Sequence, residues 1–213
     1  MLSMEALKNN VMQIYNDLLN VDHKNERILV GISGAPGSGK STLSRALSCK
    51  INKSEHVAAV IPMDGYHLDD SLLEDVGLLK QKGAPETFDF VGFKHLLLRV
   101  KNEDEVVYPV FDREREISIA GTGLIKKNIR IVIVEGNYLL FDEEPWSCLS
   151  ELWDYSVFLD LELSVLERRL VDRWIDHGFS RAEAQQKAVG NDIQNAKRVI
   201  ASRIQATRII SDA

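Results

Sequence analysis

Apolar side chains recur along this chain at two periods, and the switches between them mark its elements. Leu7, Val11, Ile14, Leu18 and Val21 repeat every three or four residues, the stripe of an amphipathic helix. The spacing predicts one helix within residues 1–25, packed on the body of the protein; a homodimer surface is the alternative use of the same stripe. Predominantly apolar runs follow at 27–32, 57–62, 129–134 and 155–160. Runs apolar at successive positions are what parallel strands show when both sheet faces are covered. Helical spacing returns between them, at 42–47, at Phe93, Leu96, Leu97 and Val100, and at Leu166, Leu170 and Trp174. Asn195, Arg198 and Val199 share a last helix before a short strand at 206–210. Strands alternating with helices predict an α/β fold of three layers, with a mostly parallel central sheet and helices on both faces.

Polar punctuation sets the boundaries. Ser71 and Glu74, Ser164 and Glu167, and Ser180 and Glu183 each have capping-box spacing, and Gly178 ends the helix begun at 164. Gly83 and Pro85 break a helix into a charged loop, and 106–111 is extended. The segment 117–125 reads as a small hairpin at the sheet edge, Gly121 and Gly123 supplying positive φ. With no internal repeat, low-complexity tract or linker, residues 26–213 form a single domain behind the first helix, with lid helices at about 164–190.

One stretch carries chemistry on its face. Gly34, Ala35, Pro36, Gly37, Ser38, Gly39, Lys40 and Ser41, with Thr42 behind, fit the P-loop pattern, entered by a strand and left by a helix. Its glycines let the backbone N–H groups turn inward around a phosphate chain. Lys40 supplies a point charge for the β- and γ-phosphates of ATP, Ser41 a hydroxyl for Mg²⁺, and the helix its positive end. A solvated Gly/Ser turn would not need that setting.

Two carboxylates fall where strands end, the place where open α/β sheets bind ligands. Asp64 follows 57–62 and could take a proton from an attacking hydroxyl or hold Mg²⁺ through water; the bland alternative is an exposed Asp-Gly turn. Glu135 follows 129–134 as a metal organiser. Tyr66 and His67 are candidates for the pocket wall. Tyr108, Asp112 and Arg113 are candidates for hydrogen-bonding an acceptor, although a charge cluster at 112–116 also suits a solvated turn. Arg169 and Arg173, spaced i,i+4 with Arg168 adjacent, suit the spreading charge of a moving phosphoryl group. The competing reading is ion pairing with Asp172 and Asp176.

Composition narrows the partners. With 213 residues, 45% hydrophobic, and a net charge of −6, the chain can bury a sizeable core but repels nucleic-acid backbones. No apolar run is long enough for a membrane span, and Glu5 and Lys8 interrupt any secretion signal. Cys49 and Cys148 lie far apart and read as reduced, buried, small apolar groups, which predicts a cytoplasmic protein.

Together these motifs resemble the P-loop kinase group containing uridine kinase, phosphoribulokinase and bacterial type I pantothenate kinase. The carriers are 34–42, Met-Asp-Gly-Tyr-His at 63–67, Lys-Gly-Ala-Pro-Glu-Thr-Phe-Asp at 82–89, Tyr-Pro-Val-Phe-Asp-Arg at 108–113, Val-Glu-Gly-Asn-Tyr-Leu-Leu at 134–140 and the arginine-bearing helix. The likeness is strongest to small bacterial proteins labelled fructose-transport-system kinases or nucleoside/nucleotide kinase-like. It implies that Asp64 is the general base, Glu135 assists Mg²⁺, and Arg169 and Arg173 contact ATP phosphates. The Gly-Tyr-His form after Asp64 is nearer pantothenate kinase than uridine kinase, yet that enzyme's aromatic acceptor pocket has no match here. The expected function is an ATP-dependent kinase phosphorylating an alcohol hydroxyl of a sugar, nucleoside or pantothenate-like small molecule. The alternative is a nucleotide-binding switch or scaffold with slow ATP hydrolysis, although no guanine-reading Asn-Lys-x-Asp motif is present.

Overall fold

A computed structural model describes residues 4–21, 27–53 and 55–211. Of the amino-terminal helix expected within 1–25, residues 1–3 and 22–25 lie outside this description. Helix α1 spans Met4–Leu18 and strand β1 Ile28–Gly34; α2 is Lys40–Ile51 and β2 Ala58–Pro62, followed by a 3-10 turn at Met63–Tyr66. Then come α3 (Asp70–Asp75), α4 (Phe90–Asn102), β3 (Val106–Asp112), β4 (Ile117–Ile125) and β5 (Ile131–Gly136). Beyond a 3-10 segment at Trp146–Leu152 lie β6 (Tyr155–Leu159), α5 (Leu163–Asp176) and α6 (Arg181–Lys187). A π-helical turn at Ala188–Asp192 leads into α7 (Ile193–Ala201), and β7 is Arg208–Ile210.

Five strands form a sheet in the order β2-β5-β1-β6-β7, parallel at every pairing. Because side chains alternate along a strand, each inner strand feeds two cores. Leu29, Val132, Val134 and Phe158 face α4 and the 3-10 segment, whereas Val30, Ile32, Ile133 and Val157 face α1 and α2. The expected stripe of α1 is buried there through Val11, Ile14 and Leu18. A third cluster joins Leu166 and Leu170 of α5 to Ala184, Ile193 and Ala196, and it also takes in Ala35 of the glycine-rich loop. The helical module therefore sits directly on that loop.

Several local expectations change. The strand at β2 is an edge strand, so Ala59 and Val60 are only half-buried. Residues 117–125 do not fold into a hairpin of their own: they form the single strand β4, paired antiparallel with β3 in a separate two-stranded sheet. Gly121 has φ 74° but lies within that strand, and the reversal falls at 113–116, where Glu116 takes φ 54°. Asp69 rather than Ser71 caps α3, accepting from the Ser71 N–H, and α5 begins after Glu162 with Ser164 already inside it. The capping box at Ser180 and Glu183 is present. Cys49 is exposed on α2 and Cys148 half-buried, so neither serves as a core apolar group. Arg27, one residue before β1, donates to the carbonyls of Ile129, Val100 and Glu103 at 2.6–2.8 Å, pinning the end of α4 to the sheet. Among the described residues no helix is long and apolar enough to cross a membrane.

Candidate active site

The register of the sheet assembles the site. Glu135 lies opposite Ile32 of β1 on one side and Pro62 of β2 on the other, so it sits between the strand entering the glycine-rich loop and the strand leading to Asp64. Within the loop Gly37 and Gly39 adopt φ 79° and 98°, a region other residues enter with strain. Gly39 precedes α2, whose first turn has no side-chain cap, leaving its N–H groups available to an anion. The Ser38 hydroxyl is buried with no hydrogen-bond partner among the described residues. A loop with left-handed glycines, uncapped N–H groups and an unused hydroxyl fits a phosphate chain.

Lys40 and Glu135 are both buried at this point. The Lys40 Nζ donates to the Ala35 carbonyl at 3.1 Å, and the Ser41 Oγ donates to Glu135 Oε1 at 2.8 Å. Burial pushes the Lys40 ammonium down from its ordinary value, opposed by the charges of Glu135 and Asp64. Burial likewise pushes the Glu135 carboxyl up; the neighbouring Asp64 charge adds to this, while Lys40 and the Ser41 hydrogen bond oppose it. Among the described residues no three His, Cys, Asp or Glu side chains cluster as a metal cage. Ser41 and Glu135 instead make the sparse oxygen set typical of Mg²⁺ sites completed by phosphate oxygens.

Asp64 lies in the 3-10 turn beyond β2, and its Oδ2 accepts from Arg113 Nη2 in the turn between β3 and β4. The two-stranded sheet is clamped on that turn. The Ser118 hydroxyl donates to the Gly65 carbonyl, and a Cβ on Gly65 would overlap the Pro109 carbonyl. The Tyr108 hydroxyl donates to Val60 O at 3.1 Å. Opposite, Gly136 packs so closely on Met63 that an added Cβ would lie 2.6 Å from the Met63 Cβ.

His67 lies between the rings of Phe88 and Phe111, with centroids at 4.1 and 4.7 Å. Burial lowers its proton affinity, and its Nδ1 is 2.9 Å from the Asp64 carbonyl. A carbonyl can only accept, so Nδ1 carries the hydrogen and Nε2 keeps its lone pair.

On the other side α5 covers the loop. A Cβ on Gly37 would meet Leu170 Cγ at 3.2 Å, and Arg169 Nη1 donates to the carbonyls of Gly37 and Ser38 at 3.4 and 3.3 Å. Burial, then the neighbouring Arg168 charge, lowers the Arg169 value. Arg173 bonds neither Asp172 nor Asp176: its Nη2 donates to Asp192 Oδ2 at 3.1 Å, an oxygen that also accepts from Trp174 Nε1 at 2.8 Å. The adjacent Asn191 donates from Nδ2 to Lys82 O at 2.7 Å.

The structure thus brings together Lys40, Ser41, Asp64, Arg113 and Glu135, with Arg169 and Arg173 alongside. It does not bring in all the candidates. Tyr66 turns its ring onto Phe93 at 5.3 Å, and its hydroxyl is pushed up to about 12 by burial and the Asp89 charge. Tyr108 is spent on Val60, and Asp112 closes its own turn by accepting from the Glu114 and Arg115 N–H groups at 3.0 Å. Asn191 and Asp192 carry no signal in the sequence, where Gly190, Asn191 and Asp192 look like an ordinary break, and Lys82 stands out only as part of the motif at 82–89.

Residues 29–212 match the profile of the Phosphoribulokinase / Uridine kinase family. The uncharacterized protein YggC of Escherichia coli (strain K12) is 33% identical over 86% of this chain and 77% of its own length. A Schizosaccharomyces pombe protein provisionally named a uridine kinase is 32% identical over 86% of this chain and 82% of its own. A crystal structure from Silicibacter sp. TM1040, provisionally described as a fructose transport system kinase, superposes with a TM-score of 0.88 at 46% identity. It covers 94% of this chain and 98% of its own.

Proposed function

The chain belongs to the phosphoribulokinase/uridine kinase family of ATP-dependent phosphotransferases, and from that premise we propose that it moves the γ-phosphoryl group of ATP to an alcohol hydroxyl of a small sugar, nucleoside or pantothenate-like metabolite. The loop 34–42 and Lys40 hold the phosphates. Ser41 and Glu135 would hold Mg²⁺ together with phosphate oxygens; such an ion neutralises charge on the β- and γ-phosphates. Asp64 orients the acceptor hydroxyl and takes its proton. The acceptor oxygen bonds to the γ-phosphorus while the bond to the bridging oxygen of the β-phosphate breaks, and ADP leaves. Arg169 and Arg173 belong to a lid over about 164–190, on a single kinase domain of residues 26–213, and they balance the charge spread over the moving group.

One observation carries this reading: Asp64 stands beside Lys40 and Glu135, yet no described hydrogen bond ties its side chain to the loop. A kinase needs a carboxylate within reach of an acceptor hydroxyl, whereas a nucleotide switch would use it only to organise the metal ion. The test is a coupled ADP-release screen across hydroxyl-bearing metabolites, with ATP alone as the blank. Acceptor-dependent ADP above the blank supports the proposal; the same slow release with every compound refutes it.

A further inference from the structure

We infer that the acceptor is anionic: a small hydroxy acid or sugar phosphate whose negative group binds Arg113 and releases Asp64 for the reaction. The inference rests on the kinase reading above and sharpens it to a substrate class.

The geometry sets up a conflict that a charged acceptor resolves. Arg113 donates to Asp64 Oδ2, one of the two oxygens through which the carboxylate would take a proton, and its charge pairs with that of the carboxylate. This contact is not a chance meeting of long side chains. The hairpin that carries Arg113 is seated on Asp64's own turn through Ser118, Gly65 and Pro109, so the guanidinium is delivered to this place. The pair also adds little to folding. The Arg113 side chain is 62% exposed and that of Asp64 22%, and pairs so open to water contribute little net stability. An exposed pair is readily exchanged for another of the same charge.

Other cations around this wall have partners that the reaction does not need. Arg115 pairs with Asp112, Lys82 with Asp70, and Arg173 with Asp192. Arg113 differs in being paired to the proposed base. Of the acids nearby, Glu116 faces Lys82 and Glu135 faces Ser41, and burial disfavours the charged form of the His67 ring, whose Nδ1 bonds the Asp64 carbonyl. An incoming carboxylate or phosphate therefore meets a planar, exposed guanidinium whose fork can make two hydrogen bonds once Nη2 leaves Asp64. A neutral acceptor would have to part the same pair and leave both charges without a replacement.

Matched acceptors in the coupled assay test this: glycerate against glycerol, pantothenate against pantothenol, and ribulose 5-phosphate against ribulose, together with every hit of the wider screen. The acidic member of a productive pair should win in kcat/KM by about 10²-fold, the scale of one charge-assisted bidentate contact. The carboxylate and phosphate arms separate the two sources of charge. Arg113→Gln should raise the acidic acceptor's KM by at least about tenfold and erase its advantage, with the KM for ATP unmoved and Arg113→Lys intermediate. Equal or better use of neutral acceptors overturns the inference and leaves the kinase reading standing. So does an Arg113→Gln variant that loses kcat equally for both members, since Arg113 would then only orient Asp64. Absence of turnover with every compound sinks the kinase reading and the inference with it.

Discussion

Replacing Asp64 by Asn separates binding from transfer, and the contacts of Asp64 set which effect is small and which is large. The amide keeps the shape and an acceptor oxygen but takes no proton near neutral pH. In folding terms the change removes one partly exposed ion pair, with Arg113, worth about 0.2–1 kcal/mol. For a chain of this length that is a fall of at most about 2–4 °C in Tm. The hydrogen bond from His67 goes to the main-chain carbonyl of Asp64 and survives. Transfer should suffer far more. A positioned acid–base group contributes about 10²–10⁴ in rate, equivalent to about 2.7–5.5 kcal/mol of barrier. Because the second effect exceeds the first several-fold, lost turnover cannot be ascribed to a damaged fold. Binding of Mg²⁺-ATP should stay near wild type, since Lys40, Ser41 and the loop are untouched. Calorimetric titration with Mg²⁺-ATP and the coupled assay, run on one preparation, check both halves. Lost nucleotide binding would move Asp64 to the metal and hand the proton to Glu135, the other carboxylate at this point. Full activity would place Asp64 outside the mechanism.

Arg169→Ala and Arg173→Ala should each lower kcat more than they raise the KM for ATP. An arginine supplied to a transferring phosphoryl group can be worth about 10³–10⁵, and with two sharing that load each single loss should be smaller. Steady-state kinetics equal to wild type would reduce the pair to a helix surface. Glu135→Gln bears on pH: burial raises the Glu135 carboxyl above its ordinary 4.5, so its ionisation works against the fold as pH climbs through the usual carboxylate range. The Tm of the Glu135→Gln variant, relative to wild type, should therefore rise as pH increases above the ordinary carboxylate value of 4.5. The extra stabilisation that Mg²⁺ gives to the ATP complex should shrink in the same variant; an unchanged Mg²⁺ increment in thermal shift would remove Glu135 from the metal site. Gly65→Ala forces a methyl into the Pro109 carbonyl. Overpacking of this kind costs about 1–3 kcal/mol, and the hairpin should lift from Asp64, raising the acceptor's KM while nucleotide binding holds. Unchanged acceptor kinetics would show that the hairpin is not the acceptor's wall.

What the sequence made legible was whatever short-range periodicity or a strand end determines. The apolar faces of α1 and α4 appear at the residues expected, and Asp64 and Glu135 stand together because one lies in the turn just past β2 and the other near the end of the neighbouring parallel strand β5. Partnerships across long loops were not legible. Asp172 and Asp176 are the near neighbours of Arg173 in sequence, but the helical module folds back and supplies Asp192 instead. Arg113 lies 49 positions from Asp64, and no spacing rule links a hairpin turn to a strand end. Arg27 read only as the first residue of the strand at 27–32, yet its donors reach carbonyls 73 to 102 positions away. Cap positions slipped because Asp69 and Ser71 offer nearly equivalent oxygens, and backbone geometry chose between them. At 117–125 two glycines mimicked a turn, while the charged residues 113–116 made the real one.

The π-helical turn gives the two halves of the reaction a common joint. Its last two residues hold opposite obligations: Asn191 grips the Lys82 carbonyl, in the loop that runs on to Phe88 and the His67 ring, and Asp192 grips Arg173 and Trp174 above the nucleotide loop. Arg173 drawn toward a phosphate would give up its hydrogen bond to Asp192, next in the chain to the residue that holds Lys82. Thermodynamic linkage then makes the traffic symmetrical: the factor by which bound nucleotide changes affinity for the acceptor equals the factor by which acceptor changes affinity for nucleotide. A change at Asn191, which touches neither Asp64 nor Lys40 among the described contacts, should accordingly surface as altered synergy between the two substrates rather than as weaker binding of either one alone.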